Sequence, residues 1–281
     1  MTVNQSGKLY IVATPIGNLD DMVPRAVSTL QSVNLIACED TRHSKRLLHH
    51  FGIDTPCIAY HDHANEKSID DILRRLNVGD DIALISDAGT PLISDPGFRL
   101  VALARQQNIM VVPVPGTCAA IAALSVSGMP TDKFRFIGFL PAKNTQRVKA
   151  LKGLKAVTET LIFYEAPHRI EATLTDVVDI FGPDREVFFA REITKTYETF
   201  IRADVSALLE QVKADSNQQR GEIVLIIAGC AVTDTDFPAD SEKLMELLLQ
   251  ELPMAKAASL AAKITGGDKK KFYQLALQMQ D

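Results

Sequence analysis

Through the first half of the chain, short apolar runs rich in Val, Ile and Leu alternate with longer stretches whose apolar residues recur at helical spacing. Residues 9–13, 35–38, 58–60, 82–86 and 110–114 are predicted as strands. Their near-continuous apolarity is that of strands buried on both faces, as in a parallel sheet. Between them, residues 24–31, 41–50, 66–76 and 97–107 carry the helical period, with Pro24 and Thr41 suited to first-turn or cap positions. Strand and helix in alternation predict an α/β unit.

Small and turn-forming residues at 126–132 interrupt this rhythm and predict a boundary near Gly128. Beyond it, residues 134–139, 161–164, 187–192, 199–203 and 223–228 are expected as strands, and 167–180 and 205–214 as helices. Two adjacent strands near Ile193 to Tyr197 would make this second sheet mixed. Residues 233–238 have little apolar content and are expected as a linker. The stretches 241–252, 253–264 and 268–279 then return to helical periodicity, with Gly266 and Gly267 in a tight turn. The expected organisation is an α/β domain over 1–128, a second over 129–232, and a helix-turn-helix-like tail over 239–281.

With 46% hydrophobic and 23% charged residues, the 281-residue chain has the composition of a folded protein with a sizeable core. No apolar run approaches the length needed to cross a bilayer, so no membrane is expected. Cys38, Cys57, Cys118 and Cys230 are scattered, which argues against a disulfide framework and fits a reducing, cytoplasmic location. A net charge of −5 excludes a protein coated in positive charge for indiscriminate nucleic-acid binding. Two stretches supply local cation density. Lys143, Arg147, Lys149, Lys152 and Lys155 form one, and five Lys against two Asp in residues 253–281 form the other.

Ligands of parallel α/β sheets bind beyond the C-terminal ends of strands. Three loops at such positions combine Gly with Pro or small residues: 14–18, 86–97 and 115–120. Gly allows close approach to the backbone and Pro fixes the neighbouring turn, although either residue also serves simply to turn a chain. No GxGxxG follows the first strand and no GxxxxGK[ST] is present, which argues against a nicotinamide dehydrogenase and a P-loop hydrolase. Cys118, opening a helix, is read as a packed thiol. His61-Asp62-His63 has no third partner of suitable type nearby, so no metal is expected.

Six segments together carry a family resemblance: residues 10–19, Glu39-Asp40-Thr41-Arg42, Ser86-Asp87-Ala88-Gly89-Thr90-Pro91, residues 138–143, Phe163-Tyr164-Glu165 and residues 190–195. The sequence resembles the tetrapyrrole-methylase superfamily of S-adenosylmethionine enzymes, and within it the branch that methylates a cytidine 2′-hydroxyl in small-subunit ribosomal RNA. The resemblance implies two α/β domains with the cofactor in the cleft between them, and a homodimer. By motif position it implies S-adenosylmethionine contacts from Pro15, Gly89, Thr90, Ile93, Cys118 and Ala119, completed by Phe163, Tyr164, Ala190, Gly221 and Glu222. The implied RNA partner is the small-subunit rRNA or the assembled subunit.

Methyl transfer to a ribose hydroxyl needs alignment and a late proton acceptor. Asp87, Glu165 and Lys195 are the candidates for polarising that hydroxyl or balancing the developing charge. Arg42, His61, Lys143 and Arg191 are the candidates for the acceptor side, with the Lys-rich tail extending the contact, so RNA affinity is expected to fall with salt. Two other functions fit part of this pattern. The same fold serves methylation of a tetrapyrrole or corrin precursor, and the basic tail alone would suit a non-catalytic RNA-binding or assembly protein.

Overall fold

A computed structural model describes residues 6–60, 66–231 and 241–279. Five strands, β1 (Lys8–Val12), β2 (Leu35–Cys38), β3 (Cys57–Ala59), β4 (Ile82–Ile85) and β5 (Met110–Val114), form a sheet of order β3-β2-β4-β1-β5. Every pairing in it is parallel. Side chains alternate between its two faces, so the central strands feed two cores. Leu9, Leu35, Ala37, Ile82 and Leu84 pack with Ile72 and Leu76 of α3 (Glu66–Asn77) and Leu100 of α4 (Phe98–Gln106). Val12, Ile36, Cys38, Ala83 and Ile85 pack with Leu30 of α1 (Pro24–Ser32) and Leu48 of α2 (Thr41–His50). Both faces are covered, which is why the strands read as continuous apolar runs.

The second sheet has order β6-β7-β10-β8-β9, from β6 (Phe134–Phe139), β7 (Thr160–Glu165), β8 (Glu186–Arg191), β9 (Thr199–Asp204) and β10 (Ile223–Ile227). Only β6 and β7 are parallel; β7/β10, β10/β8 and β8/β9 are antiparallel, so the sheet is mixed as expected. One face, with Phe163, Phe189 and Leu225, is covered by α6 (Asn144–Leu154), α7 (Ile170–Phe181) and α8 (Val205–Ala214). The predicted helix over 167–180 starts as a 3-10 turn, Pro167–Arg169, before α7.

The opposite face, with Ile162, Phe188, Ala190, Val224 and Ile226, packs on Ala120, Ala123 and Leu124 of α5 (Ala119–Ser127) and on Ile16. Because α5 follows β5 and Ile16 follows β1, this apolar cluster joins the two sheets. The basic stretch around α6 is less exposed than its composition suggests. Arg147 is buried and its Nε donates to Asp176 Oδ2 at 2.6 Å, while Asn144 binds the same carboxylate.

By contacts the chain divides into two compact units, Met1–Gly229 and Cys230–Asp281. The second holds three helices, α9 (Ser241–Glu251), α10 (Met254–Thr265) and α11 (Lys269–Gln278), around Met245, Ala257, Ala261, Phe272 and Leu275. Asp268 caps α11 by accepting from Lys270 N–H at 2.7 Å. The expected linker at 233–238 lies outside the described residues. Among the described residues no helix is long and apolar enough to cross a membrane.

Candidate functional site

The strand order explains why three loops distant in sequence meet. β4, β1 and β5 lie side by side, so the segments leaving their C-terminal ends are neighbours. Thr14 and Gly89 exchange main-chain hydrogen bonds of 2.9 Å, Thr14 Oγ1 donates to the Ser86 carbonyl, Thr90 Oγ1 donates to the Thr117 carbonyl at 2.8 Å, and Thr117 Oγ1 donates to the Thr14 carbonyl. The loop after β4 is also strained. Leu92 (φ 74°) and Ser94 (φ 67°) both occupy the left-handed region that side chains other than Gly rarely adopt.

These loops and the ends of β6, β7 and β10 in the second sheet enclose a cavity of about 430 Å³, within the range of cofactor-sized sites. Apolar walls come from Ile16, Ile93, Phe139, Tyr164, Ile193 and Val224. Tyr164 is fixed edge-on against Phe136 and Phe139, and its phenol oxygen accepts from the N–H of Ala120 in the first turn of α5 at 3.2 Å. Burial pushes its phenol well above the usual tyrosine range. The charged lining is one-sided: Asp87, Asp95, Glu165 and Glu222 face the cavity, and among the described residues no Lys, Arg or His does.

Each acid is held differently. Glu165 is buried at the end of β7, where Oε1 accepts from Ala166 N–H at 2.8 Å and Oε2 accepts from Thr173 at 2.6 Å. Arg169 Nε stands 3.2 Å from Oε1 as an ion pair without hydrogen-bond alignment. With both oxygens engaged, Glu165 is built to fix the turn into α7. Glu222 receives Lys195 Nζ at 3.1 Å, and the same ammonium reaches Glu192 at 2.9 Å. Partial burial works against charge on both Glu192 and Lys195, but the hydrogen bonds between them prevail, holding the carboxyl below its usual range and the ammonium above its own. Lys195 is therefore a fixed cation.

The stem of Lys195 also crosses Gly17 so closely that a Cβ there would lie 2.4 Å from its Cγ, which accounts for Gly in the loop after β1. Asp87 Oδ1 accepts from Asp40 N–H at 3.1 Å, linking the cavity to the N-cap of α2. Asp95 has a carboxyl pushed up to about 6 by burial, with Glu39 and Asp87 adding to the rise and the Ser86 hydroxyl opposing it.

Most residues singled out in the sequence converge here. Gly89, Thr90, Ile93, Cys118, Ala119, Tyr164, Gly221 and Glu222 line the cavity, as do Asp87 and Glu165. Pro15, Phe163 and Ala190 are buried and do not line it; Phe163 points into the core beneath α7, and Ala190 into the cluster that joins the sheets. Arg191 is likewise buried, with Nη2 donating to the Tyr197 carbonyl at 3.0 Å and to Thr199 Oγ1 at 3.1 Å. It holds the β8–β9 turn and is not exposed for a phosphate. Arg42 and Lys143 are exposed, Arg42 beside Asp40 at 3.7 Å. His61 lies outside the described residues, as does the rest of His61-Asp62-His63. Among the described residues no three of His, Cys, Asp or Glu gather as a metal-holding group. Asp95, Phe139 and Val224 line the cavity without having been singled out; for Asp95 the signal was its place in the 86–97 loop, directly before Pro96-Gly97.

Two α/β halves joined through an apolar cluster, with a one-sided acidic cleft at the C-terminal ends of a parallel sheet, define a class of cleft-binding α/β proteins. Residues 8–209 match the family described as Tetrapyrrole (Corrin/Porphyrin) Methylases, and the chain belongs to that family. Residues 235–280 match the RsmI C-terminal HTH domain. The chain is 52% identical over 277 residues to Ribosomal RNA small subunit methyltransferase I of Pseudomonas aeruginosa, covering 98% of each chain. It is 51% identical to the protein of the same name from Escherichia coli O157:H7, covering 99% of this chain and 97% of that one. Among solved structures, diphthine synthase (TM-score 0.61, 11% identity, 79% of this chain and 90% of that one) shares the fold. So does cobalt precorrin-4 methyltransferase, CbiF (TM-score 0.59, 16% identity, 78% and 94%).

Proposed function

We propose that this protein transfers a methyl group from S-adenosylmethionine to the 2′-hydroxyl of a cytidine in small-subunit ribosomal RNA, working as a cytoplasmic homodimer. The observation that carries the reading is the charge of the cleft. A cavity whose described lining holds four acids and no Lys, Arg or His, with Asp87 and Asp95 lacking a basic partner among the described residues, disfavours a phosphate-bearing ligand and suits a cationic one. A sulfonium donor is such a ligand, and the volume and apolar walls suit its nucleoside. The near-full-length likeness to proteins named ribosomal RNA small subunit methyltransferase I supports the choice of RNA as acceptor.

In this reading Gly89, Thr90, Ile93, Cys118, Ala119 and Tyr164 hold the cofactor, with Gly221 and Glu222 closing the opposite side. When bound, S-adenosylmethionine supplies an electrophilic methyl and its own leaving group. The chain's share of the work is orientation and electrostatics. Asp87 and the acids around it favour the positive charge of the donor, while Glu165 and Lys195 keep the walls in place through their ion pairs. Arg42 and Lys143, exposed outside the cavity, together with Lys269 and Lys270 of α11, are assigned to phosphates of the RNA.

The test is to incubate the protein and labelled cofactor with small ribosomal subunits lacking the modification, and with porphyrinogen in parallel, then locate the label by mass spectrometry. The expected product is a single cytidine carrying ribose methylation. Label on a base nitrogen or carbon would overturn the 2′-O chemistry, and label on the macrocycle alone would overturn RNA as the substrate.

A further inference from the structure

The four acids of the cleft are not equivalent, and the difference singles out a proton acceptor. Glu165 has two hydrogen-bond donors and an arginine, Glu222 has Lys195, and Asp87 is tied to the main chain of Asp40. Asp95 forms no ion pair among the described residues. Among the described residues, the groups that act on its charge are the Ser86 hydroxyl, the carboxyls of Glu39 and Asp87, and the Tyr164 phenol, which comes from the opposite sheet. Ser86 itself donates to the Ala88 carbonyl at 3.2 Å. The position is rigid as well as open to the cavity. Ser94, with its left-handed backbone, precedes Asp95, and Pro96 follows, fixing its own φ and restricting Asp95 to extended conformations.

We propose that Asp95 accepts the proton of the hydroxyl that is methylated, an assignment that rests on the functional reading given above. The hydroxyl oxygen forms a bond to the methyl carbon as the carbon–sulfur bond breaks and its electron pair stays on sulfur, leaving an uncharged thioether. The hydroxyl proton passes to an Asp95 carboxylate oxygen and from there to solvent. Two features suit Asp95 to this role. No cation among the described residues competes for its lone pairs, and its elevated carboxyl is more basic than an ordinary aspartate while still ionised at neutral pH.

The test compares the wild type with Asp95→Asn, Asp95→Glu and Asp87→Asn by three readouts: cofactor affinity by calorimetry, carboxyl titration by ¹³C NMR without RNA, and the pH dependence of kcat on small ribosomal subunits. In the wild type, one aspartate carboxyl that is absent from Asp95→Asn titrates near pH 6, and kcat falls on its acid side. Asp95→Asn binds cofactor within a few-fold of wild type, loses about a hundredfold or more in kcat, and loses the acid limb. Asp95→Glu restores part of the rate. Asp87→Asn removes a neighbouring negative charge and moves both the NMR titration and the acid limb to lower pH together.

An active wild type whose Asp95→Asn variant keeps kcat within about threefold, with the acid limb unmoved, overturns the assignment. So does an Asp95 carboxyl that titrates in the ordinary aspartate range. A folded, cofactor-binding wild type that methylates no RNA overturns the functional reading itself, and the assignment with it.

Discussion

Acids on the second-sheet wall of the cleft have basic partners, whereas the acids on the first-sheet wall, Asp87 and Asp95, have none among the described residues. Glu165 is set against Arg169, and Glu222 and Glu192 share Lys195. A carboxylate with a fixed cation behind it holds structure, because its charge is already balanced and its lone pairs are spent. A carboxylate left against other carboxylates raises the negative potential of the cavity and keeps a lone pair for a ligand or a proton. In the proposed reaction the two walls thus divide the labour of the site: one keeps its shape and the other supplies its chemistry.

The sharpest way to break this division is to remove Glu165. It is buried, and Glu165→Ala leaves the Arg169 guanidinium without its carboxylate and the Ala166 N–H and Thr173 hydroxyl without their acceptor. The expected loss is about 3–5 kcal/mol of unfolding free energy, read from urea denaturation. A loss under about 1 kcal/mol would mean that the paired wall is not held by its pairs.

Much of the fold was legible because its signals are local, and what was missed depends on contacts between distant residues. Buried strands announce themselves as apolar runs, and the loops at 14–18, 86–97 and 115–120 announce themselves by Gly and Pro. The order β3-β2-β4-β1-β5, which brings those loops together, has no local signature. Within the right segments, individual residues were harder to choose. Phe163 and Tyr164 are neighbours on a strand, so they face opposite sides, and only Tyr164 reaches the cavity. Arg191 reads as a phosphate ligand until the Tyr197 carbonyl and Thr199 are seen beneath it. Arg147 reads as a surface cation until Asp176, on a different helix, takes its guanidinium. Asp95 and Asp87 share one loop, and nothing in the sequence says which of them the Asp40 N–H will bind.

A smaller effect sharpens the comparison at Gly221, which lines the cavity and lies against Glu192. Its φ of 77° suits Gly, and a Cβ there would fall 2.3 Å from Glu192 Oε1. Gly221→Ala must therefore pay backbone strain and displace the carboxylate that pairs with Lys195. A destabilisation of about 1–3 kcal/mol is expected, together with weaker cofactor binding by calorimetry. Normal affinity in a variant destabilised to that extent would show that the Glu192–Lys195 pair supports the fold without shaping the cavity.

The smallest effect runs the other way, because an unpaired acid costs stability. Folding raises the Asp95 carboxyl from 3.8 to about 6, so the folded state binds that proton more tightly than the unfolded chain does. The associated stability is fully present below the unfolded value and is lost as pH rises through the folded one. At neutral pH the wild type therefore carries a penalty that Asp95→Asn, which is always neutral, lacks. Discounted for the partial exposure of the carboxyl, the gain is about 1 kcal/mol, or roughly 2–4 °C in Tm. The gain should be absent below pH 4, grow between pH 4 and 6, and level off above that interval. A Tm difference of equal size at every pH would trace the effect to packing, and the two walls would then differ in geometry alone.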